Sequence, residues 1–311
     1  MSTTASAPGK AILFGEHAVV YGYPAVAVPL SSIRAYAEIS ETGGDEINLE
    51  ASDIGFSGKL NTLPANDPFR VAVQVFCDHT KINISTGIDI RLRSDIPIAS
   101  GMGSGAAVHT AMMKALFNHY QIPFTETELA SLVYQIEKLY HGTPSGIDNT
   151  VTCYGQSILY QKEQEIKFLE FPHEFFLVIA NSGISTPTRI TVNDVRLLYQ
   201  SSPKDVRSIF ESIRETTLQG LKSLRCGDWQ ASGKNFTANH QLLNQLSVSC
   251  PQLDRMVATA IDAGAYGAKL SGGGRGGIIV ALVNPERIPK VTESLLEIGA
   301  ENCFTTKIGP T

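Results

Sequence analysis

Cysteine is scarce and scattered in this chain. Cys77, Cys153, Cys226, Cys250 and Cys303 are five in 311 residues, and none stands in a C-x-x-C pair. An odd, dispersed set excludes a disulfide framework and a zinc site and predicts reduced thiols, as in a cytoplasmic protein. Charge is also sparse. Charged residues make up 18%, with 25 Lys+Arg against 30 Asp+Glu and a net charge of -5. A mildly acidic chain without a long basic run is a poor partner for nucleic acid or for an anionic membrane. No stretch reaches the ~18 consecutive apolar residues that a membrane-spanning helix needs. Residues Ser2 to Ser6 are small and polar and the first arginine is Arg34, so neither a secretory signal nor a transit peptide is expected. Gly309-Pro310-Thr311 carries no peroxisomal address.

What is present is an ordinary globular balance, with 43% apolar residues. A chain of 311 residues exceeds what one core usually holds, about 250–300 residues. Two subdomains are expected, 1–171 and 172–311, with the boundary at Phe171-Pro172. Strands are expected at Ala25–Leu30, Ala35–Ile39, Ile47–Ala51 and Ile88–Leu92, the last from the alternation of Ile88, Ile90 and Leu92 with polar residues. A helix follows from about Ala106, with Val108, Ala111, Met112, Ala115 and Leu116 at helical spacing. A second helix starts at Thr125, where Thr125 and Glu128 fit a capping box. Further on, the pattern predicts a buried strand at Phe175–Ala180 and a helix from Ser202-Pro203. Helices around Trp229–Leu246 and Pro251–Ala263 follow, then strands at Ala268–Ser271, Ile278–Val283 and Asn302–Ile308. Strands and helices alternate irregularly in both halves, which makes the fold class α+β.

Glycine is clustered in two places: Gly101-Met102-Gly103-Ser104-Gly105 and Gly272-Gly273-Gly274-Arg275-Gly276-Gly277. A glycine-rich loop between a strand and a helix lets backbone N–H groups approach a phosphate, and the helix N-terminus favours the anion. The first cluster has that context; the plain alternative is a turn that needs φ > 0. It is not a P-loop, because Lys10, Lys59 and Lys234 follow glycines but are themselves followed by Ala11, Leu60 and Asn235. Gly101, Gly103 and Ala106 match a dinucleotide fingerprint, but the acids about 20 residues on, Glu126 and Glu128, sit in a helix cap instead of at a strand end. The second cluster runs into a strand. It reads as a close backbone approach, to phosphate or to the first loop, or as a bulged hairpin. Arg275 within it can reach a phosphate or point to water.

Three further sets carry potential chemistry. Glu137 flanks the apolar stripe of its helix, and a carboxylate there needs a partner such as Mg²⁺ or a lysine; a surface glutamate is the plain alternative. Asp148 ends a loop rich in turn formers, 142–149, as a catalytic group or as a cap. Lys10, Glu16 and His17 surround a short apolar run, where a buried lysine can stabilise an alkoxide or a phosphate.

Taken in order, these strings resemble a family. Pro8–Lys10 with Gly15-Glu16-His17-Ala18-Val19-Val20-Tyr21-Gly22, then 97–104, then 141–149, then Lys269–Gly274 are similar to the ordered motifs of the GHMP small-molecule kinases, and most nearly to the members that phosphorylate mevalonate. The resemblance spans residues 8 to 277. It implies a ribosomal-S5-domain-2-like N-terminal half, a ferredoxin-like C-terminal half and an active site between them. It also implies transfer of the ATP γ-phosphate, with Mg²⁺, to the 5-hydroxyl of (R)-mevalonate. By position, the resemblance makes Asp148 the catalytic base and Lys10 the lysine that stabilises the reacting oxygen. Glu137 becomes a metal ligand. Ser94, Ala99, Ser100, Gly101, Met102, Gly103, Ser104 and Gly105 become the nucleotide site. Glu16, His17 and Thr188 (beside Arg189) line the substrate site.

Two positions depart from the family pattern. Gly105 stands where the family has a second serine, a metal ligand, so Ser104 or a water is expected in its place, with weaker metal or ATP binding. Arg275 stands where the family prefers glycine. Gly105 also keeps open a non-catalytic, nucleotide-binding member, and the substrate could be another small alcohol such as phosphomevalonate. A homodimer is the base-rate expectation.

Overall fold

The computed structural model describes residues 2–84, 87–141 and 145–310. Residues 142–144 of the loop ahead of Asp148 lie outside the described residues. Among the described residues the chain forms eleven strands and nine α-helices: β1 (Ser2–Phe14), β2 (Ala25–Glu41), β3 (Ile47–Ala51), β4 (Phe56–Lys59), α1 (Pro68–Thr80), β5 (Ile88–Ser94), α2 (Ser104–His119), α3 (Glu126–His141), α4 (Ile147–Tyr154), β6 (Ile158–Tyr160), β7 (Lys167–Phe168), β8 (Phe175–Asn181), α5 (Thr188–Ser201), α6 (Pro203–Cys226), α7 (Trp229–Gln245), α8 (Pro251–Asp262), β9 (Gly267–Ser271), β10 (Ile278–Val283), α9 (Ile288–Glu297) and β11 (Asn302–Ile308). No helix among them is long and apolar enough to cross a membrane.

The chain folds as two compact units that interleave in sequence. One comprises Met1–Gly9, Ile33–Ile98 and Gly103–Gly155, and the other Lys10–Ser32, Ala99–Met102 and Gln156–Thr311. The two strands expected at Ala25–Leu30 and Ala35–Ile39 are one strand, β2, which passes from one unit into the other. The exposed pair Ser31-Ser32 between them marks the unit border instead of a strand end.

In the first unit, β4, β3, β5 and the second part of β2 are neighbours in that order. β3 runs parallel to β5, and the other pairs are antiparallel. Ile39, Leu49, Ile90 and Leu92 are buried on the sheet, and Phe76, Met112, Leu116, Leu129, Val133, Ile136 and Val151 on the helices. Helices α1 and α3 start for readable reasons. Asp67 caps α1 by accepting from the Phe69 N–H at 2.9 Å, and Pro68 fills a first-turn position where no N–H is needed. The capping box of α3 forms in both directions, Thr125 N–H to Glu128 at 3.3 Å and Glu128 N–H to the Thr125 hydroxyl at 3.2 Å.

In the second unit, the order β11-β8-β10-β9 is fully antiparallel, which is the order of a ferredoxin-like sheet. Strands β8, β9 and β10 are buried along nearly their whole length, and β11 is the more exposed edge. The core beneath them holds Val178, Ala180, Phe210, Ile213, Leu243, Met256, Val257, Ile279 and Val291. Gly220 on α6 lies against the ring of Phe14, which meets Phe236 of α7 edge-on at 5.0 Å. A side chain at 220 would meet that ring at 2.3 Å, so glycine is required there.

Candidate active site

The first glycine cluster is split between the two units, and each part has its own neighbours. In the second unit, Ala99 and Gly101 adopt φ of 54° and 84°, and Ser100 and Met102 are buried. Lys10, itself buried, secures this turn twice. Its backbone N–H donates to the Met102 carbonyl at 2.9 Å, and its Nζ donates to the Gly101 carbonyl at 2.6 Å. The second glycine cluster closes on the same turn. A Cβ at Gly272 would lie 3.4 Å from the Gly101 oxygen, and one at Gly277 would lie 2.7 Å from the Ser100 oxygen. Gly272, Gly274, Gly276 and Gly277 all have positive φ. The close approach to the first loop read from sequence is therefore present, within a β9–β10 hairpin.

Arg275, with 34% of its side chain exposed, is engaged by protein partners instead of standing free for a phosphate. It forms an ion pair with Asp194 of α5 and donates through Nε to the Ser247 carbonyl at 3.0 Å. Its own carbonyl accepts from Thr186 at 2.8 Å. The departure from the family's glycine is thus a strut between the hairpin and α5.

Glu16, His17 and Thr188 come together around Lys269 and Gly273. The Glu16 carboxylate is turned inward, where it pairs with the fully buried Lys269 and accepts from Asn239 at 3.2 Å. Burial raises the Glu16 carboxyl pKa and lowers that of the Lys269 ammonium, each opposed by the partner's charge. His17 has φ 60° and ψ -49°, an uncommon backbone state for a non-glycine residue. Its Nε2 lies 3.0 Å from the Gly273 carbonyl. A carbonyl only accepts, so Nε2 carries the proton and Nδ1 is an acceptor. Nδ1 is buried and has no hydrogen-bond partner among the described residues. Burial pushes the His17 pKa down to about 4, which keeps the ring neutral. Thr188 opens α5 on the other side of Gly273, where a Cβ would meet its hydroxyl at 3.0 Å.

In the first unit, the chain enters α2 through Gly103 at φ 72°, with Ser104 and Gly105 in the first turn. First-turn N–H groups have no intrahelical acceptor, and with the helix dipole they favour an anion. Glu137 on α3 is buried beside that turn. A Cβ at Gly105 would lie 3.6 Å from its Oε1. That oxygen accepts from Nδ1 of His109, one turn further along α2, at 2.8 Å. Asp148 is half-buried in the first turn of α4, where a carboxylate suits the helix dipole. The irregular loop expected at 142–149 is thus replaced from Ile147 onward by a short helix that starts at a positive-φ glycine, Gly146. Helices α2, α3 and α4 pack on one another. Ser94 closes a turn at the end of β5: its hydroxyl accepts from the Ile96 N–H at 3.1 Å.

A divalent cation fits this donor set. Glu137 is a hard oxygen donor on a buried wall, the hydroxyl of Ser104 begins the neighbouring helix, and the missing side chain at Gly105 leaves room for water. Mg²⁺ commonly takes only one or two protein carboxylates and keeps several waters. No cluster of three or more His, Cys, Asp or Glu that could hold a metal ion occurs among the described residues.

Residues 67–156 match the model of the GHMP kinases N terminal domain and residues 217–301 that of the GHMP kinases C terminal domain. A mevalonate kinase of Pyrococcus furiosus is 32% identical over 98% of this chain and 96% of its own length. The chain belongs to the mevalonate kinase branch of the GHMP kinases. Solved structures of that branch superpose over nearly the whole chain. L. major mevalonate kinase in complex with R-mevalonate is 32% identical with TM-score 0.85, covering 99% of this chain and 96% of that one. Methanococcus jannaschii mevalonate kinase is 27% identical with TM-score 0.88, covering 100% and 99%. The GHMP kinase fold and an ATP-dependent kinase activity follow from that membership. Sequence reasoning assigned no role to His109, Asn239 or Asp194, and named Lys269 only as the first residue of a motif. Each acts through a partner far away in sequence, and no spacing announces such a partner.

Proposed function

We propose that this chain transfers the γ-phosphate of ATP to the 5-hydroxyl of (R)-mevalonate, giving 5-phosphomevalonate. The observation that carries this reading is full-length similarity, at 32% identity and TM-score 0.85, to an enzyme solved with R-mevalonate. The motif residues fit the demands of phosphoryl transfer, which are positioning and charge neutralisation more than covalent chemistry. Asp148 accepts the hydroxyl proton, and such general-base help is typically worth ~10²–10⁴-fold. Lys10 steadies the reacting oxygen and, through its bond to Gly101, the glycine turn. N–H groups of 101–106 hold phosphate oxygens, with Ser94, Ala99 and Ser100 completing the nucleotide site. Mg²⁺, held by Glu137 with Ser104, supplies neutralisation of phosphate charge when bound with ATP. His17 accepts a substrate hydroxyl at Nδ1, Thr188 lines the same wall, and Glu16 sets its position through Lys269. The proposed border between the family's two halves is Phe171-Pro172.

The test is a panel of small alcohols offered with Mg²⁺-ATP. (R)-mevalonate is expected to give the highest kcat/KM. A preference for phosphomevalonate would overturn the substrate, and nucleotide binding without turnover on any alcohol would overturn the activity.

A further inference from the structure

The first unit holds a buried pair of which one member, His109, has no part in the proposed reaction. Glu137 and His109 face each other across α3 and α2 at 2.8 Å, and each side chain is 6% exposed. A carboxylate oxygen can only accept here, so Nδ1 of His109 carries the proton. The ring of Phe69, from α1, lies 5.7 Å from the imidazole and closes the site on another side. Gly105 precedes His109 by one helical turn, so both present the same face of α2 to Glu137. Oε1, the oxygen that takes the imidazole, is also the carboxylate atom nearest to a Cβ built at 105.

We infer that His109 is a positioning residue for the metal carboxylate and sets the choice of cation. This rests on the reading of Glu137 as a metal ligand. The hydrogen bond ties up Oε1. A cation that chelates a carboxylate through both oxygens, as Ca²⁺ often does, must share Oε1 with the imidazole N–H, which weakens its hold on that oxygen. Mg²⁺ takes one oxygen per carboxylate in a tight octahedron and is compatible with the hydrogen bond. Outer partners that orient a ligand are typically worth 10–100-fold in metal affinity. His109 does here what such a partner does, from a buried position and without touching the cation.

The experiment measures Mn²⁺, an EPR-visible stand-in for Mg²⁺, binding to the full chain with a non-hydrolysable ATP analogue, with Ca²⁺ as competitor. His109→Leu is expected to weaken Mn²⁺ binding by about 10–100-fold and to let Ca²⁺ compete better. His109→Asn, whose amide N–H stands near the place of Nδ1, is expected to recover most of the affinity and the selectivity. A folded His109→Leu protein with wild-type Mn²⁺ affinity and wild-type Ca²⁺ competition would overturn the inference. Glu137→Gln separates the two readings. If it binds Mn²⁺ as the wild type does, the metal role of Glu137 is wrong and the inference goes with it. If it loses Mn²⁺ while His109→Leu does not, only the role of His109 is wrong. Should His109→Leu not fold, the wild-type protein decides by NMR of the His109 Nδ1–H proton. That proton is expected to stay in its hydrogen bond when Mg²⁺ and the analogue are added, and its loss on metal binding would overturn the proposal.

Discussion

The carboxylate of Glu16 and the ammonium of Lys269 meet in the interior of the second unit, 253 residues apart in sequence and with 1% and 0% of their side chains exposed. Lys269 also donates to the Leu270 carbonyl at 2.6 Å, and Asn239 donates to the other oxygen of Glu16. The pair joins the segment that carries His17 to strand β9, which leads into the second glycine cluster. Removing one partner leaves a buried, unpaired charge, at a cost of ~3–5 kcal/mol. Lys269→Met is therefore expected to lower stability in urea by about that amount. Glu16→Gln with Lys269→Met should recover most of the loss, because replacing both charges of a buried pair is often near neutral. A double variant less stable than Lys269→Met alone would contradict this account of the pair.

His17 gives stability a pH dependence of known sign. Its folded pKa, about 4, lies below the ordinary 6.5. In that interval the unfolded chain binds a proton that the folded chain excludes. The contribution is complete above pH 6.5 and is lost as pH falls toward 4, on the order of 3 kcal/mol at most. His240, also held low mainly by burial, acts in the same direction. His17→Asn keeps a residue that tolerates positive φ and is expected to flatten the stability curve between pH 6.5 and 4. An unchanged slope in denaturant titrations across that range would contradict it.

Arg275 is a strut. Arg275→Ala is expected to cost about 1 kcal/mol, the scale of a partly exposed ion pair, and to leave the KM for ATP near wild type. Asp194→Asn should reproduce the stability loss. If Arg275→Ala weakened ATP while Asp194→Asn did not, the arginine would be a phosphate ligand instead.

Gly105 leaves space beside Glu137 that a serine can enter. The Cβ contact at 3.6 Å is ordinary van der Waals distance. Gly105→Ser adds a hydroxyl to the donor set and is expected to tighten Mn²⁺ binding about three- to tenfold, the scale of one ordinary hydrogen bond. Weaker binding would mean that the space is needed for bound water.

What the sequence reveals depends on how local the cause is. β8 and β10 are continuous apolar runs, and α3 announces itself with a capping box, so their places were legible. β1 was not, because Ser2 to Gly9 is a run of small and polar residues whose pairing with β2 comes from the fold. α4 was hidden by its eight-residue length and its glycine start. Of the candidate site, the glycine turns and the proposed residues Lys10, Glu137 and Asp148 could be read from motif order. Their partners could not. His109 reaches Glu137 only through the packing of α2 on α3, and Arg275 reaches Asp194 across 81 residues.

The most direct measurement is ³¹P NMR of purified protein with Mg²⁺-ATP and (R)-mevalonate, run on the wild type and on Asp148→Asn. The account predicts a phosphomonoester on the mevalonate 5-oxygen with matching ADP, formed ~10²–10⁴-fold more slowly by the variant. Full-speed transfer by Asp148→Asn would contradict the assigned base, and no phosphomonoester from the wild type would contradict the account as a whole.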